Sequence, residues 1–313
     1  MSYILNRLLS VALTLALISM ITFVVTNILP GDVAMVIMGT QSNPEALAGL
    51  RENLGLNDPL IMQYGRWVGG MLTGDWGKSL VFKEAIGPLI AQKFVASGLI
   101  VVMSMTIALV CAIPLGVWAA VHQNKWQDNA ASTTSLLGVS LPDFFWGIML
   151  ILLFARYLEW FPSSGFVHPA DDFLGAVRHA FLPSLALGLG LMAHLTRMTR
   201  STMTGILNQE FVRVARAKGL SERTVVWRYS LANAIGPVIT VAGLQVGYLF
   251  GSIIVVESLF NFTGMGWLTY QALLNRDIPL IQSTVFVIAA VVMLTNLLVD
   301  LLYVVIDPRI RLN

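Results

Sequence analysis

The sequence predicts an all-α integral membrane protein with six transmembrane helices. Composition is the first reason. Of 313 residues, 56% are hydrophobic and only 12% are charged, and the mean hydropathy is +0.75. That charged share is about half the usual one for a soluble domain, and a soluble core cannot hide so much apolar surface from water. The second reason is clustering: the apolar residues collect in stretches long enough to cross a hydrocarbon core, which takes about 20 residues. The third is charge, because the basic residues divide unevenly between the two sets of connections that six crossings create.

The spans are stretches free, or nearly free, of Asp, Glu, Lys and Arg: residues 9–29, 97–121, 132–155, 181–196, 235–256 and 282–306. The apolar run behind the short start 1–7 is longer than a signal-peptide core and no A-x-A-like site follows it. It is expected to be retained as the first membrane helix. Asp143 interrupts the third span and Asp300 the sixth. The fourth span is short and carries Gly188 and Gly190, a pattern found where helices pack closely or line a cavity. The chain thus reads as residues 1–94, a first helix with a long outer loop, and residues 95–313, a five-helix core with an inner segment at 197–233.

Six crossings put both termini on one side. If that side is the cytoplasm, the inner segments hold Arg7, Lys125, Arg197, Arg200, Arg213, Arg216, Lys218, Arg223, Arg228, Arg309 and Arg311, which makes 11, and the two short outer loops hold Arg156, Arg178 and Arg276, which makes 3. The long loop 30–94 has no vote, because long loops translocate largely regardless of charge. Both termini are expected to be cytoplasmic.

Two connections are too long to be turns, and long ordered connections are usually functional. The outer one has helix-forming stretches at 44–54 and 59–72, broken by Gly55, Gly74 and Gly77, with Tyr64, Trp67 and Trp76 suited to a membrane interface. The inner one, 197–233, is rich in Arg and Ala and broken at Gly219.

Catalytic motifs are missing. There is no H-E-x-x-H, no G-x-S-x-G, and the four histidines have no ligand spacing. Gly77-Lys78-Ser79 resembles the end of a phosphate-binding loop, but Leu72 stands where that loop needs glycine. The one cysteine, Cys111, excludes a disulfide within the chain. A net charge of +2 is too small to imply nucleic-acid binding.

The inner segment carries the sharpest signal, Glu210-Phe-Val-Arg213-Val-Ala215-Arg216-Ala217-Lys218-Gly219-Leu220-Ser221-Glu-Arg223. Small Ala215 and Ala217 precede a glycine that can stop one helix and start another at an angle. Ser221 can cap the second. Two short helices on the inner membrane face would make a docking surface for a soluble partner.

Arg213-Val-Ala-Arg-Ala-Lys-Gly219, followed by Leu231-Ala-Asn-Ala-Ile-Gly-Pro237, resembles the cytoplasmic-loop motif of binding-protein-dependent ABC importer permeases, in particular the dipeptide, oligopeptide and nickel branch. Nearly the whole chain takes part. Pro30-Gly-Asp32, Leu54-Gly-Leu-Asn-Asp-Pro-Leu60, Gly74-Asp-Trp-Gly-Lys-Ser79, Trp160-Phe-Pro-Ser-Ser-Gly165, Val256-Glu-Ser-Leu-Phe260, Arg276-Asp-Ile-Pro279 and Asp307-Pro-Arg-Ile310 follow in the branch's order and spacing. There are departures. Arg213 replaces the glutamate of the broader permease motif, Pro237 is displaced from its usual place, Thr263 stands where proline usually precedes Gly264, and Asp143 follows Pro142 where a small or neutral residue is expected.

The resemblance implies a type I ABC importer transmembrane domain in a bacterial inner membrane. It implies a second homologous permease subunit, two ATPase subunits and an extracytoplasmic substrate-binding protein as partners. It implies no cofactor on this chain, ATP and Mg being held by the ATPases. The inner segment, with Glu210, Arg213, Ala215, Arg216, Ala217, Lys218, Gly219, Leu220, Ser221 and Arg223, becomes the ATPase-coupling loop. Short peptides are the expected cargo, with nickel chelates, glutathione or small sugars as alternatives within the branch.

Three intramembrane polar residues are candidates for the pathway. Asp143, roughly 15 Å into its span at 1.5 Å per residue, should face other helices or a wet cavity. There it attracts the amino group of a peptide or is partnered at the permease–permease interface. Gln245 faces the pathway or a neighbouring helix, and Glu257 is a gate or a structural group. Asn296 and Asp300, one turn apart, read as a structural pair. A stand-alone secondary transporter or channel would show an inverted repeat and midplane charges for ion coupling, and the sequence shows neither. An intramembrane enzyme lacks its nucleophile or metal motif.

Overall fold

The computed structural model describes residues 2–28, 34–35, 43–53 and 55–306. Pro30–Asp32 and Asp307–Ile310 of the sequence pattern lie outside the described residues, as does Leu54. Among the described residues the chain is helical, with one isolated β-bridge between Lys78 and Ala85. The helices are α1 (Ser2–Ile28), α2 (Pro44–Asn53), α3 (Leu60–Thr73), α4 (Ile86–Val121), α5 (Trp126–Ser140), α6 (Asp143–Tyr157), α7 (Phe173–Leu207), α8 (Glu210–Ala217), α9 (Glu222–Leu259), α10 (Met265–Leu274) and α11 (Ile278–Ile306). The latter part of α6, Ile151–Tyr157, and the stretch Val225–Ser230 of α9 have π-helical geometry. Among the described residues five helices are long and apolar enough to cross a membrane, and the pair α5 and α6 makes a sixth if taken as one bent span.

The observed spans depart from the sequence expectation in three places. The third span is not continuous: α5 and α6 meet at a bend of 100°. The residue before a proline is driven out of the helical region by the proline ring. Leu141 accordingly has φ −105° and ψ 135°, and Pro142 is extended too. The fourth span is not short. α7 has 35 residues, because Arg178, Arg197 and Arg200 are tolerated in the turns where the helix leaves the membrane core. The fifth begins at Glu222, so the second of the two short inner helices is the first stretch of a 38-residue helix.

By internal contacts the chain forms two units, residues 1–97 with 263–294 and residues 98–262 with 295–313, so the division falls within α4 and α11. In the first unit, Ile86, Leu89 and Ile90 of α4 pack with Met265, Leu268 and Ala272 of α10 and with Leu280 and Ile281 of α11. The Ser97 hydroxyl accepts the Met265 N–H at 2.7 Å and satisfies one of the unpaired donors at the start of α10. Asp277 is fully buried. It accepts Ser79 Oγ at 2.5 Å, Val81 N at 3.1 Å and Leu280 N at 3.3 Å, which ties the outer turn to the start of α11. Ser79 thus serves as an anchor in the structure. A cavity of about 500 Å³ lies among Phe23, Trp67, Trp76, Lys78 and Gln282 of this unit, and none of the candidate site residues lines it.

In the second unit α7 is the most buried of the spanning helices and packs on α5, α6 and α9. Small residues let backbones approach, as is common between membrane helices. A Cβ at Gly116 of α4 would fall 2.5 Å from Thr199 Cβ and 2.8 Å from Thr196 O. One at Gly188 would fall 3.3 Å from Ser104 O. Asp172 caps α7 by accepting the Gly175 N–H at 2.9 Å. Near the other end, buried Asp128 of α5 is gripped by the Arg200 guanidinium, whose Nη2 donates to Oδ2 at 2.7 Å, and by the Asn124 N–H at 3.0 Å.

Candidate functional site

The inner segment folds as a helix, a joint and the base of a long helix. α8 is amphipathic. Val212 and Ala215 are buried against Val225 at the base of α9, with Ile206 and Leu207 of α7 and Leu220 packed alongside. The adjoining face of α8 shows Phe211 and Val214, 37% and 52% exposed, three residues apart and so side by side. Arg213 and Lys218 are exposed as well.

The joint follows from Gly219. Leu220 N donates to Ala215 O and Gly219 N to Arg216 O, at 3.4 and 2.9 Å, while Gly219 has φ +76°. These paired bonds, a left-handed residue and an apolar contact from the residue after it make a Schellman motif. A Cβ at Gly219 would meet nothing within 4 Å. The requirement for glycine is therefore conformational, since the left-handed region costs other L-residues roughly 1–2 kcal/mol. Ser221 then caps α9, its hydroxyl accepting the Thr224 N–H at 3.4 Å. Arg216 clasps Glu222 across the joint, with Nε to Oε1 at 2.8 Å and Nη2 to Oε2 at 3.2 Å. Both side chains are exposed, so the clasp adds orientation more than stability. Arg223 and Arg228 lie exposed on the other side of the joint, beside half-exposed Trp227 and Tyr229.

α9 carries this segment into the spans without a break. Val226 and Ala234 pack with Val117 and Ala120 of α4 and with Met203 of α7. At 1.5 Å per residue the 38 residues of α9 run about 57 Å, longer than the roughly 30 Å hydrocarbon core. Gln245, Tyr248 and Glu257 all lie on it. Gln245 is half-buried and Glu257 is fully buried.

Asp143 is not in the middle of a helix. It is the first residue of α6, directly after the bend, and is 8% exposed. Its Oδ2 accepts the Tyr248 hydroxyl at 3.0 Å. Oδ1 faces Gly190 of α7, where a Cβ would stand 3.1 Å away. The structure thus brings Asp143 to the same helix as Gln245 and Glu257, while the coupling residues lie at that helix's inner base. Tyr248 was missed in sequence. Its spacing of three from Gln245 was the available signal.

Two family models cover the chain. One, described as binding-protein-dependent transport system inner membrane component, matches residues 112–312. The other, its N-terminal companion, matches residues 1–101. A protein of Salmonella paratyphi A named glutathione transport system permease protein GsiC is 38% identical over 311 residues, 99% of each chain. Its namesake in Escherichia coli K12 is 37% identical over the same share.

Proposed function

Since the chain belongs to the family of inner-membrane components of binding-protein-dependent transport systems, as a permease of the peptide and nickel branch of ABC importers, we propose that it imports short peptides, glutathione among them, by alternating access. It is a multi-pass inner-membrane protein, and membership implies an ATPase and a substrate-binding protein as partners. In our reading it pairs with a second, similar permease chain. Two ATPase subunits hold ATP and Mg and dock on segment 197–233, and both termini are cytoplasmic. The match along nearly all of both chains to permeases named for glutathione, itself a tripeptide, carries the cargo assignment.

The geometry of the inner segment supports the coupling role. Docking needs a surface with apolar anchors and charge complementarity, and Phe211, Val214, Arg213, Lys218 and Arg223 supply both. Opposite charges across such an interface set specificity and encounter rate more than affinity. Transmission needs a rigid path, and the buried contacts of Val212, Ala215 and Val225 fix α8 to the base of α9. A push on α8 therefore becomes a displacement of α9. A ligand-driven change of this kind requires contacts that differ between the two states, and ATP closure of the partner subunits supplies that difference.

The test is ATP-driven uptake of glutathione and of a dipeptide by the reconstituted transporter, for wild type, Gly219→Asn and Gly219→Val. Asparagine tolerates the left-handed region and a β-branched residue does not. Gly219→Asn should retain most uptake. Gly219→Val should insert and assemble but lose uptake by about tenfold, with ATP hydrolysis no longer stimulated by loaded binding protein, from about 1–2 kcal/mol of backbone strain at the joint. Wild-type uptake and stimulation in Gly219→Val would remove the segment from the coupling path.

A further inference from the structure

We infer that the Asp143 carboxylate is a contact for a primary ammonium group on the cargo and that the Tyr248 hydroxyl occupies this contact when cargo is absent. The inference rests on the reading of the chain as an importer of short peptides, and it deepens that reading by assigning a residue of this chain to one chemical group of the cargo.

An ionised carboxylate taken out of water is costly unless a cation or several hydrogen bonds accompany it. Asp277 has three donors and Asp128 has an arginine. Asp143 differs from both. Among the described residues its side chain has one bonded partner, the neutral Tyr248 hydroxyl, and no cation. Oδ1 lies over Gly190, whose missing side chain leaves space beside the oxygen. The group is held in place by its position at the start of α6, where the extended Leu141 and Pro142 stop α5 and fix the direction of the next helix.

Tyr248 is 48% exposed while its oxygen reaches a carboxylate that is nearly buried. It also lies on the helix whose base forms the coupling segment. Displacement of α9 moves the hydroxyl relative to α6 and opens the carboxylate to an ammonium group. A cationic donor makes a stronger bond to a carboxylate than a neutral hydroxyl does. Peptides and glutathione carry such a group, whereas sugars do not.

The test uses the complete transporter in vesicles, with glutathione and trialanine as probes and one binding protein throughout, so that selection before the membrane is the same in every arm. Asp143→Asn keeps the size and removes the charge. Its uptake of both probes should fall about tenfold or more, the loss of one charge-assisted hydrogen bond. The complex should elute intact and its ATPase should still be stimulated. Asp143→Glu restores the negative charge and should take up both probes about threefold or more faster than Asp143→Asn. Unchanged uptake in Asp143→Asn, an equal loss in Asp143→Glu, or a complex that falls apart without the carboxylate each overturns the contact. If wild type moves neither probe with ATP, the import of amine-bearing peptides falls, and the contact with it.

Discussion

Asp128 shows what a single side chain can hold together in this protein. It is buried on α5 and accepts two bonds from Arg200 of α7 and one from the Asn124 N–H. Removing one partner of such a pair leaves the other uncompensated, which costs 3–5 kcal/mol when both are buried. Arg200 is 32% exposed, so water recovers part of that. Asp128→Asn should therefore lower the stability of the purified protein by about 2 kcal/mol, read as an earlier thermal transition in detergent. In Asp128→Asn with Arg200→Gln the two losses should not add, and simple additivity would show that the pair is not coupled. At this scale the sequence was informative where chemistry is local. Gly219, Ser221 and the alanines before them predict a stop and a cap, and the structure contains both. It was uninformative where the partner is distant. Nothing near Asp128 announces an arginine 72 residues on, and nothing near Asp143 announces Tyr248, 105 residues on.

Elements here are defined as much by what fails to stop them as by what does. Runs without charge locate the membrane-crossing cores but not the helix ends, because a helix continues through arginines once its turns reach the interface. That is why α7 and α9 extend well beyond the apolar stretches that mark them. Pro142 shows the opposite error. A proline between long apolar runs reads as a loosening of one helix, yet the steric restriction on Leu141 turns it into a bend of 100°. Contact between elements depends on glycines whose need was not visible in the pattern. Gly116 allows α4 and α7 to touch at Thr196 and Thr199. Gly116→Val should force them apart and cost about 1–3 kcal/mol by overpacking. The measurement is the midpoint of thermal unfolding in detergent, with Gly98→Val of the same helix as control, since a Cβ there meets nothing within 4 Å. Equal midpoints for the two variants would mean that the approach at Gly116 is not close.

For the whole molecule the direction across the membrane is directly testable. From the charge count we expect both termini and segment 197–233 in the cytoplasm and the loop 30–94 outside. With Cys111 replaced by serine, a cysteine at Asn43 should react with a membrane-impermeant thiol reagent in cells with an opened outer envelope, and a cysteine at Ser221 should react only after the inner membrane is broken. Both positions are exposed in the structure, so the reverse pattern would invert the topology. If the direction is as expected, α9 has its coupling end in one compartment and its other end near the opposite one. A helix is also a screw, turning 100° per residue. Its two ends are locked in phase: the azimuth at which Tyr248 and Glu257 point is set by the number of residues between them and Ser221. Side chains along α9 can drift through evolution, but a gain or loss of one residue rotates everything beyond it by more than a quarter turn. Only the π-helical turns at Val225–Ser230, where a residue's worth of winding is already absorbed, give such a change somewhere to go.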